Sequence, residues 1–168
     1  FYLDGLEPAT ARAFEAALDA FRGEGVEIVS ISLPDQMRLS AAGQILLACE
    51  AAAFHRRWLA ERPEDYGAQV RARLENGLAI PAVTYLEALR WRAIALTEHL
   101  QSVAGVDAFL APVSASASPS IAESDVGGGP SAEAVIQRIT RLMRPVNYLG
   151  LPALVAVSYT HLTLPTKA

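Results

Sequence analysis

Cysteine is almost absent from this sequence: among 168 residues there is one, Cys49. A lone thiol excludes an internal disulfide and suits a reducing compartment. Long apolar runs are absent as well. No uninterrupted stretch approaches the roughly 20 residues that a membrane-spanning helix needs, and no segment resembles a signal peptide. We therefore expect a cytoplasmic protein with no membrane partner.

Positive charge is also scarce. Lys and Arg total 14 against 18 Asp and Glu, which gives a net charge of −4 and argues against binding to nucleic acid or an anionic membrane. The one basic cluster, His55–Arg57, is balanced by Glu61, Glu64 and Asp65 and is typical of a solvated helix face. An apolar fraction of 52% and a charged fraction of 19% indicate a globular domain.

Motifs for metals and phosphate-bearing cofactors are missing too. The three histidines, His55, His99 and His161, do not have the spacing of metal ligands. The stretch "GGGP", Gly127–Pro130, lacks the Lys-Ser/Thr pair of a phosphate-binding loop and is typical of a flexible connector. We expect neither a metal nor a cofactor.

A Ser/His/Asp triad can be assembled from the residue types present, but the pattern does not favour it. The candidates are a serine within Ser114–Ser120, His55 or His99, and Asp107. Such a triad needs its nucleophile on a sharp turn, and no G-x-S-x-G occurs. His99 is expected on the polar side of its helix. The residues of this chain therefore predict no complete active site.

Periodic apolar residues predict five helices. The expected helices run from Pro8 to Gly23, from Ser40 as N-cap to about Ala60, through Val70 and Leu74 to an end at Gly77, from Tyr85 to Val103, and from Ser131 to a stop at Pro145. The second is expected to bury Ile45, Cys49 and Ala52. The fourth is the clearest, with Tyr85, Leu89, Ala93, Leu96, Leu100 and Val103 on one apolar face.

Three apolar segments predict strands: Val26–Pro34, Val106–Pro112 and the stretch "ALVAV" from Ala153 to Val157. Strands separated by helices indicate an α/β fold. A sheet of three strands is thin for helices this apolar, and several faces would stay uncovered. We therefore expect that the chain is a fragment of a larger α/β domain.

Motifs in a fixed order give the chain a family resemblance. The stretch "AGQILLACEAAAFHRRWLAERPEDYGAQVRARLENGLAIPAVTYLEALRWR" resembles a conserved region of the amidase signature family, the Ser–cis-Ser–Lys amidohydrolases. Eight positions carry this likeness: Glu50, His55, Tyr66, Arg73, Gly77, Tyr85, Ala88 and Arg92. "VDAFLAP" and "RPVNYLGLPAL" are similar to two further motifs of the family, although Val113 replaces the Thr of its Pro-Thr.

The resemblance implies a mixed sheet flanked by helices, helix-rich in this span. It also implies an enzyme that hydrolyses a carboxamide C–N bond through a serine acyl-enzyme, with a small-molecule amide as partner. The catalytic Lys and both serines lie upstream of Phe1 in the family pattern, so no catalytic residue is expected here and the fragment alone should be inactive. A homodimer is compatible with the resemblance.

Arg73 is the residue that the resemblance assigns to substrate binding. In family members that use glutamine, the Arg at this motif position grips the substrate carboxylate, which suits a planar bidentate donor. The alternative is structural, with Arg73 paired to Glu75, Asp65 or another acid of a helix face.

Two other functions stay open. The amidase subunit of a tRNA-dependent glutamine amidotransferase looks alike through this region, but it carries an Asp where this chain has Thr140. That Asp is the partner of the ammonium of bound glutamine, so its absence weakens this hypothesis. A helical interaction module without catalysis is the third possibility.

The resemblance ends near Ala156. We expect residues 1–156 to be the C-terminal part of a single amidase domain. The following "VSYTHLTLPT" is similar to a translated sequencing-library adapter, so Val157–Ala168 is expected to be a non-native tail, with a genuine variable tail as the alternative.

Overall fold

The computed structural model describes residues 1–125 and 130–155, without the side chains of residues 130–133. Helices dominate this part of the chain. They are α1 (Pro8–Gly23), α2 (Gln36–Glu61), α3 (Ala68–Ala79), α4 (Ala82–Ser102), α5 (Ile121–Ser124), α6 (Pro130–Thr140) and α7 (Arg144–Leu149), with a 3-10 turn at Pro63–Asp65. None of these described helices is both long enough and apolar enough to cross a bilayer. The expected helix-rich character is confirmed.

The long helix α2 is the centre of the structure, because α3, α4 and α7 all pack against it. It begins at Gln36 rather than at Ser40. The Asp35 carboxylate accepts a hydrogen bond from the Arg38 N–H at 3.0 Å and so caps the helix. Ser40 is instead buried within the first turns, where its hydroxyl donates to the Arg141 carbonyl at 3.4 Å.

The main core lies where α2, α4 and α7 meet. Its buried members are Leu39, Ala42, Leu46, Ala88, Ala95, Tyr148 and Leu149. The Tyr148 hydroxyl donates to the Ala88 carbonyl, and its ring stacks on Trp91 at 5.9 Å between centroids. The guanidinium of Arg38 covers the Trp91 ring at 4.1 Å. One aromatic stack therefore joins three helices.

The buried face of α4 differs from the predicted one. Ala88, Ala95 and His99 are buried, whereas Leu89 is 41% and Leu100 49% exposed. Small side chains let α2 and α7 approach α4 closely, so the packed face is the one with alanines. The prediction that His99 lies on a polar face is wrong, because His99 is 1% exposed.

The three predicted strands are not found in the described residues, which contain no β-strand. A strand needs a neighbour to accept and donate its backbone hydrogen bonds, and these segments do not pair with one another. Several of their apolar side chains face solvent instead: Val29 is 51% exposed, Leu110 43% and Leu154 93%. The end of the third segment, the connector glycines 127–129 and the expected tail 157–168 lie outside the described residues.

The helix predicted to stop at Pro145 is two helices. α6 ends at Thr140, and Pro145 lies in the first turn of α7, where a missing N–H costs no hydrogen bond. Gly150 ends α7 with a left-handed φ of 72°. A Cβ at this position would meet only the flexible end of the Arg92 side chain, so it is the left-handed φ that favours glycine here.

Gly77 does not end a helix as predicted. It is buried inside α3 and faces α2. A Cβ at this position would lie 2.8 Å from the Ala52 Cβ and closer still to the Ala48 carbonyl oxygen. Only glycine therefore permits the observed distance between α2 and α3.

We expect Gly77→Ala to destabilise the intact protein by about 1–3 kcal/mol, because the added methyl group forces two packed backbones apart. Urea unfolding measures the loss. Gly23→Ala is the matched control, since Gly23 has a helical conformation at the end of α1 and open space around its Cα. Equal midpoints for the two variants would contradict the assigned close approach.

His99 lies at the end of α4 in a second, smaller core. Its ring meets Phe109 edge-on at 5.8 Å between centroids, and Phe109 in turn contacts Tyr2 at 5.6 Å. The Nδ1 atom of His99 is shielded from solvent and has no hydrogen-bond partner in the described residues. Burial therefore lowers the pKa of His99 below its ordinary value of 6.5.

Stability should consequently fall as the pH drops below 6.5. Below this pH the unfolded chain binds a proton at His99, whereas the folded chain binds it only at the lower pKa of the folded state. Unfolding is therefore increasingly favoured as the pH falls toward that lower pKa. Between about pH 7.5 and pH 5.5 we expect the free energy of unfolding to decrease as the pH falls. His99→Leu should reduce this pH dependence in urea titrations. Parallel pH profiles for the two proteins would refute the assignment.

Candidate functional site

A groove between α2 and α3 is the site that the structure offers. It consists of two cavities of about 210 Å³ and about 240 Å³. Gln44, Ala48 and Arg73 line both of them. The first is completed by Leu47, Ala51, His55, Val70 and Leu74, and the second by Ile45, Asn76 and Ile80.

Local sequence explains why the groove forms. The short connection between α2 and α3 contains the Pro63–Asp65 turn, so the two helices form an antiparallel αα-hairpin. Residues three and four apart share a helix face. That spacing places Gln44, Ala48 and His55 on one wall and Val70, Arg73, Leu74 and Gly77 on the other. The contact of Gly77 with α2 closes the hairpin beside the groove.

Arg73 is half-buried in this groove and makes no hydrogen bond or ion pair within the described residues. The acids named in the structural alternative are engaged elsewhere. Glu75 lies 3.8 Å from Arg71, and Asp65 lies 3.4 Å from Arg62. The five guanidinium N–H donors of Arg73 are thus left for a group from outside the described chain.

The groove is lined by a cationic side chain, Arg73, and by no acidic one. Leu47, Val70 and Leu74 line the first cavity together with Arg73. A guanidinium among apolar walls suits a carboxylate or a similar planar anion, which it can bind in a bidentate manner.

His55 forms part of the groove wall, and the prediction of a solvated basic cluster is wrong for this residue. Its Nδ1 lies 3.0 Å from the Tyr66 hydroxyl, and Phe54 meets its ring edge-on at 5.0 Å. Arg57, by contrast, is exposed and pairs with Glu61 at 2.9 Å, as expected for a solvated face.

Most of the other family-like positions form the framework around the groove. The Tyr85 hydroxyl donates to the Glu50 carboxylate at 3.3 Å and so joins α4 to α2. Gly77 sets the α2–α3 distance, Ala88 accepts the Tyr148 hydroxyl, and Arg92 lies beside Gly150. Among the eight positions, Arg73 is the one whose polar atoms face an open cavity without a partner in the described chain.

The residues of the alternative triad are dispersed. The Ser114 hydroxyl donates to the Ser116 carbonyl at 2.8 Å, and Ser120 caps α5 through a capping box. His55 contacts Tyr66 and His99 contacts Phe109. Within the described residues no serine hydroxyl is hydrogen-bonded to a histidine ring.

Thr140 is the residue at which the family resemblance would place the Asp of an amidotransferase. Its hydroxyl donates to the Ile136 carbonyl, one turn earlier in α6, at 2.8 Å. The side chain is therefore neutral and its proton is already used within its own helix. It offers no charge for an ammonium group.

Gln44 is the residue of this site that sequence reasoning missed. Its Oε1 atom is shielded from solvent and accepts no hydrogen bond within the described residues. The signal in the sequence is its spacing of four and eleven residues from Ala48 and His55 on α2. That spacing becomes informative only once α3 is known to cover this face.

The arrangement of helices is shared with a class of known structures. A solved amidase structure superposes with a TM-score of 0.75 and 28% identity over 94% of this chain, which corresponds to 37% of that protein. The class that the fold defines is therefore that of the amidases.

Sequence comparison identifies the family. The Amidase family model matches residues 1–166, and the chain belongs to this family. An amidase of Pseudomonas putida is 30% identical over 155 residues, which cover 92% of this chain and 33% of that protein. In Geobacter sulfurreducens, one of the subunits of glutamyl-tRNA(Gln) amidotransferase is 28% identical over 67% of this chain and 28% of its own length. The chain thus spans about a third of the length of these relatives.

Proposed function

We propose that this chain is the C-terminal part of an amidase that hydrolyses a carboxamide C–N bond. The observation that carries the proposal is the family match over residues 1–166. The chemistry is nucleophilic catalysis: a serine attacks the carbonyl carbon, a neutral lysine accepts its proton through a second serine, and the amine leaves as an acyl-enzyme forms. Those three residues belong to the part of the domain that precedes Phe1.

Exposed apolar side chains support the view that further polypeptide covers this chain. Val29 and Leu154 are on segments predicted as strands, and Leu89 and Leu100 are on α4; each is at least 41% exposed. Apolar patches of this kind mark interfaces. In the whole domain the strand-like segments join the mixed sheet of the amidase fold. The single cysteine fits a cytoplasmic enzyme, and the uncovered faces leave room for a homodimer.

Within this enzyme Arg73 holds the substrate. Its guanidinium has no acid partner in the described residues, lies half-buried among apolar walls, and is adjacent to no competing carboxylate of the groove. The substrate class is therefore an amide that also bears an anionic group. The family match over residues 1–166 favours an enzyme over a helical module without catalysis.

Hydrolysis is favoured over the amidotransferase function by Thr140. The neutral hydroxyl, already bonded to Ile136, provides no counter-charge for the ammonium of glutamine. The amidase hypothesis requires no such charge.

The test of the enzyme class uses the full-length protein that contains this chain. Its sequence should encode a Lys followed by a Gly/Ser-rich segment with two serines. Purified protein should release ammonia from simple amides, and substitution of either serine by Ala should lower kcat/KM by at least about 10³-fold, as loss of a nucleophile or its proton relay does. An intact upstream region without the Lys, or full activity of both serine variants, would exclude this mechanism.

Arg73→Ala should lower kcat/KM for amides that carry a carboxylate by about 10- to 100-fold, because charge-assisted hydrogen bonds of about 1.5–3 kcal/mol are lost. Neutral amides of equal length should be affected by less than about threefold. Glutaramate and pentanamide form a suitable pair of substrates.

The matched control for this experiment is Arg71→Ala. Arg71 lies two residues away on α3 and pairs with Glu75 outside the groove. This substitution should leave the rates on both substrates unchanged. Equal losses on glutaramate and pentanamide in Arg73→Ala would remove Arg73 from the binding site.

A further inference from the structure

His55 lies in the same cavity as Arg73 and is hydrogen-bonded on one side of its ring only. Both residues line the cavity of about 210 Å³, His55 from α2 and Arg73 from α3. The His55 Nδ1 atom lies 3.0 Å from the Tyr66 hydroxyl. The Nε2 atom makes no hydrogen bond within the described residues. It is also not among the shielded polar atoms of those residues, which are Gln44 Oε1 and His99 Nδ1. Nε2 is therefore the open polar atom that His55 offers to a molecule in the cavity.

The contact with Tyr66 decides whether this atom donates or accepts. The Tyr66 hydroxyl makes no other hydrogen bond within the described residues, so its proton is donated to His55 Nδ1. A neutral imidazole carries one proton, and when Nδ1 accepts, that proton is on Nε2. In a protonated imidazole both nitrogens carry a proton and the phenol oxygen accepts instead. His55 thus presents an N–H donor at Nε2 in either state.

The surroundings of this donor favour an anion as its partner. No Asp or Glu lines the cavity to accept from Nε2. Three aromatic rings hold the imidazole: Phe54 and Tyr66 meet it edge-on at 5.0 Å and 5.6 Å between centroids, and Trp58 lies at 6.0 Å. The direction of the N–H is therefore set before a ligand binds, which lowers the entropy cost of binding. A carboxylate has two acceptor oxygens, so it can accept from donors on both walls of the cavity.

We propose that His55 is a second donor to the anionic group of the substrate, with Tyr66 as its positioning residue. The guanidinium of Arg73 binds the anion from α3, and the Nε2–H of His55 binds it from α2. The substrate class is thereby narrowed to amides whose anion has at least two acceptor oxygens, as a carboxylate does. This inference rests on the proposed amidase function and adds a second contact to it.

Two substitutions of His55 separate the roles of its two nitrogens in the full-length enzyme. The amide nitrogen of Gln reaches the position of Nε2, whereas the shorter Asn reaches only that of Nδ1. His55→Asn should raise KM for glutaramate by about tenfold or more, because a hydrogen bond to a charged group is lost. Its kcat should change by less than about twofold, as expected for a contact made equally in the ground and transition states. Both parameters for pentanamide should change by less than about threefold, and His55→Gln should stay within about threefold of wild type on both substrates.

Tyr66→Phe tests the positioning role. It removes the hydroxyl and keeps the ring that packs against His55, so the neutral imidazole is no longer held with its proton on Nε2. KM for glutaramate should rise by about two- to fivefold, and pentanamide should be unaffected. In the His55→Asn background the same substitution should have no further effect on glutaramate, because the two residues act through one donor.

The matched control is Arg57→Ala. Arg57 belongs to the same helix, is exposed, and pairs with Glu61 at 2.9 Å. Its loss removes a positive charge near the groove without removing a donor from it, so both substrates should be unaffected. A loss on glutaramate equal to that of His55→Asn would overturn the direct contact in favour of a general electrostatic effect.

The outcomes separate this inference from the function on which it rests. A wild-type protein that hydrolyses neither amide refutes the amidase function. An active wild type in which His55→Asn weakens both substrates equally, or in which His55→Gln is as impaired on glutaramate as His55→Asn, overturns the role of His55 alone. If His55→Asn fails to fold, Tyr66→Phe replaces it in the test, and an unchanged KM for glutaramate in that variant would contradict the proposal.

Discussion

The close approach of α2 and α3 at Gly77 is the constraint on which the rest of the structure depends. Because position 77 has no side chain, the α3 backbone can lie against the Ala48 carbonyl and the Ala52 methyl group. That contact fixes the antiparallel hairpin and thereby the width of the groove next to it. α2 is then free to offer its opposite side to α4 and α7, where the main core is built. The site and the core are two faces of one helix.

The family-like residues acquire distinct meanings once this geometry is known. Glu50 and Tyr85 join two helices, Gly77 provides space, and Ala88 accepts a hydrogen bond from α7. These contacts fix the relative positions of the helices. Arg73 makes no hydrogen bond or ion pair within the described residues that would support this arrangement. The proposed role of its N–H donors is to bind substrate. The family-like positions with described contacts are therefore mostly structural, and the proposed substrate-binding residue, Arg73, lies among them.

Sequence patterns predicted the existence of the helices well and their faces less well. Periodicity located α1, α2 and α4, since each is long and has a regular apolar spacing. The face of α4 was misassigned because leucines give the stronger apolar signal, whereas close packing selected Ala88 and Ala95. The N-cap of α2 was predicted at Ser40, whereas Asp35 caps the helix five residues earlier. The strands could not be judged from local sequence, because a strand exists only with its neighbour.

The candidate site shows the same difference between what local sequence predicts and what packing decides. Arg73 was proposed through resemblance and its role stays a prediction, and the structure adds that Asp65 and Glu75 form ion pairs with other arginines. The spacing of Gln44 from Ala48 and His55 could not identify it alone, since a buried acceptor is recognised only when the covering helix is in place. His55 was misread as part of a charged surface for the same reason: its partner Tyr66 lies beyond the helix that carries it.

The hydrogen bond from Tyr148 to the Ala88 carbonyl connects residues 60 positions apart. The hairpin of α2 and α3 uses neighbouring segments and can form soon after both are synthesised, whereas the stack on Trp91 has to wait until α7 has left the ribosome. During translation the α2–α3 hairpin and the groove beside it can therefore form before α7 completes the main core. A nascent chain that ends before Tyr148 would expose the face of α4 that carries Ala88 and Trp91, because α7 covers that face. Chaperones that bind apolar helices could bind there.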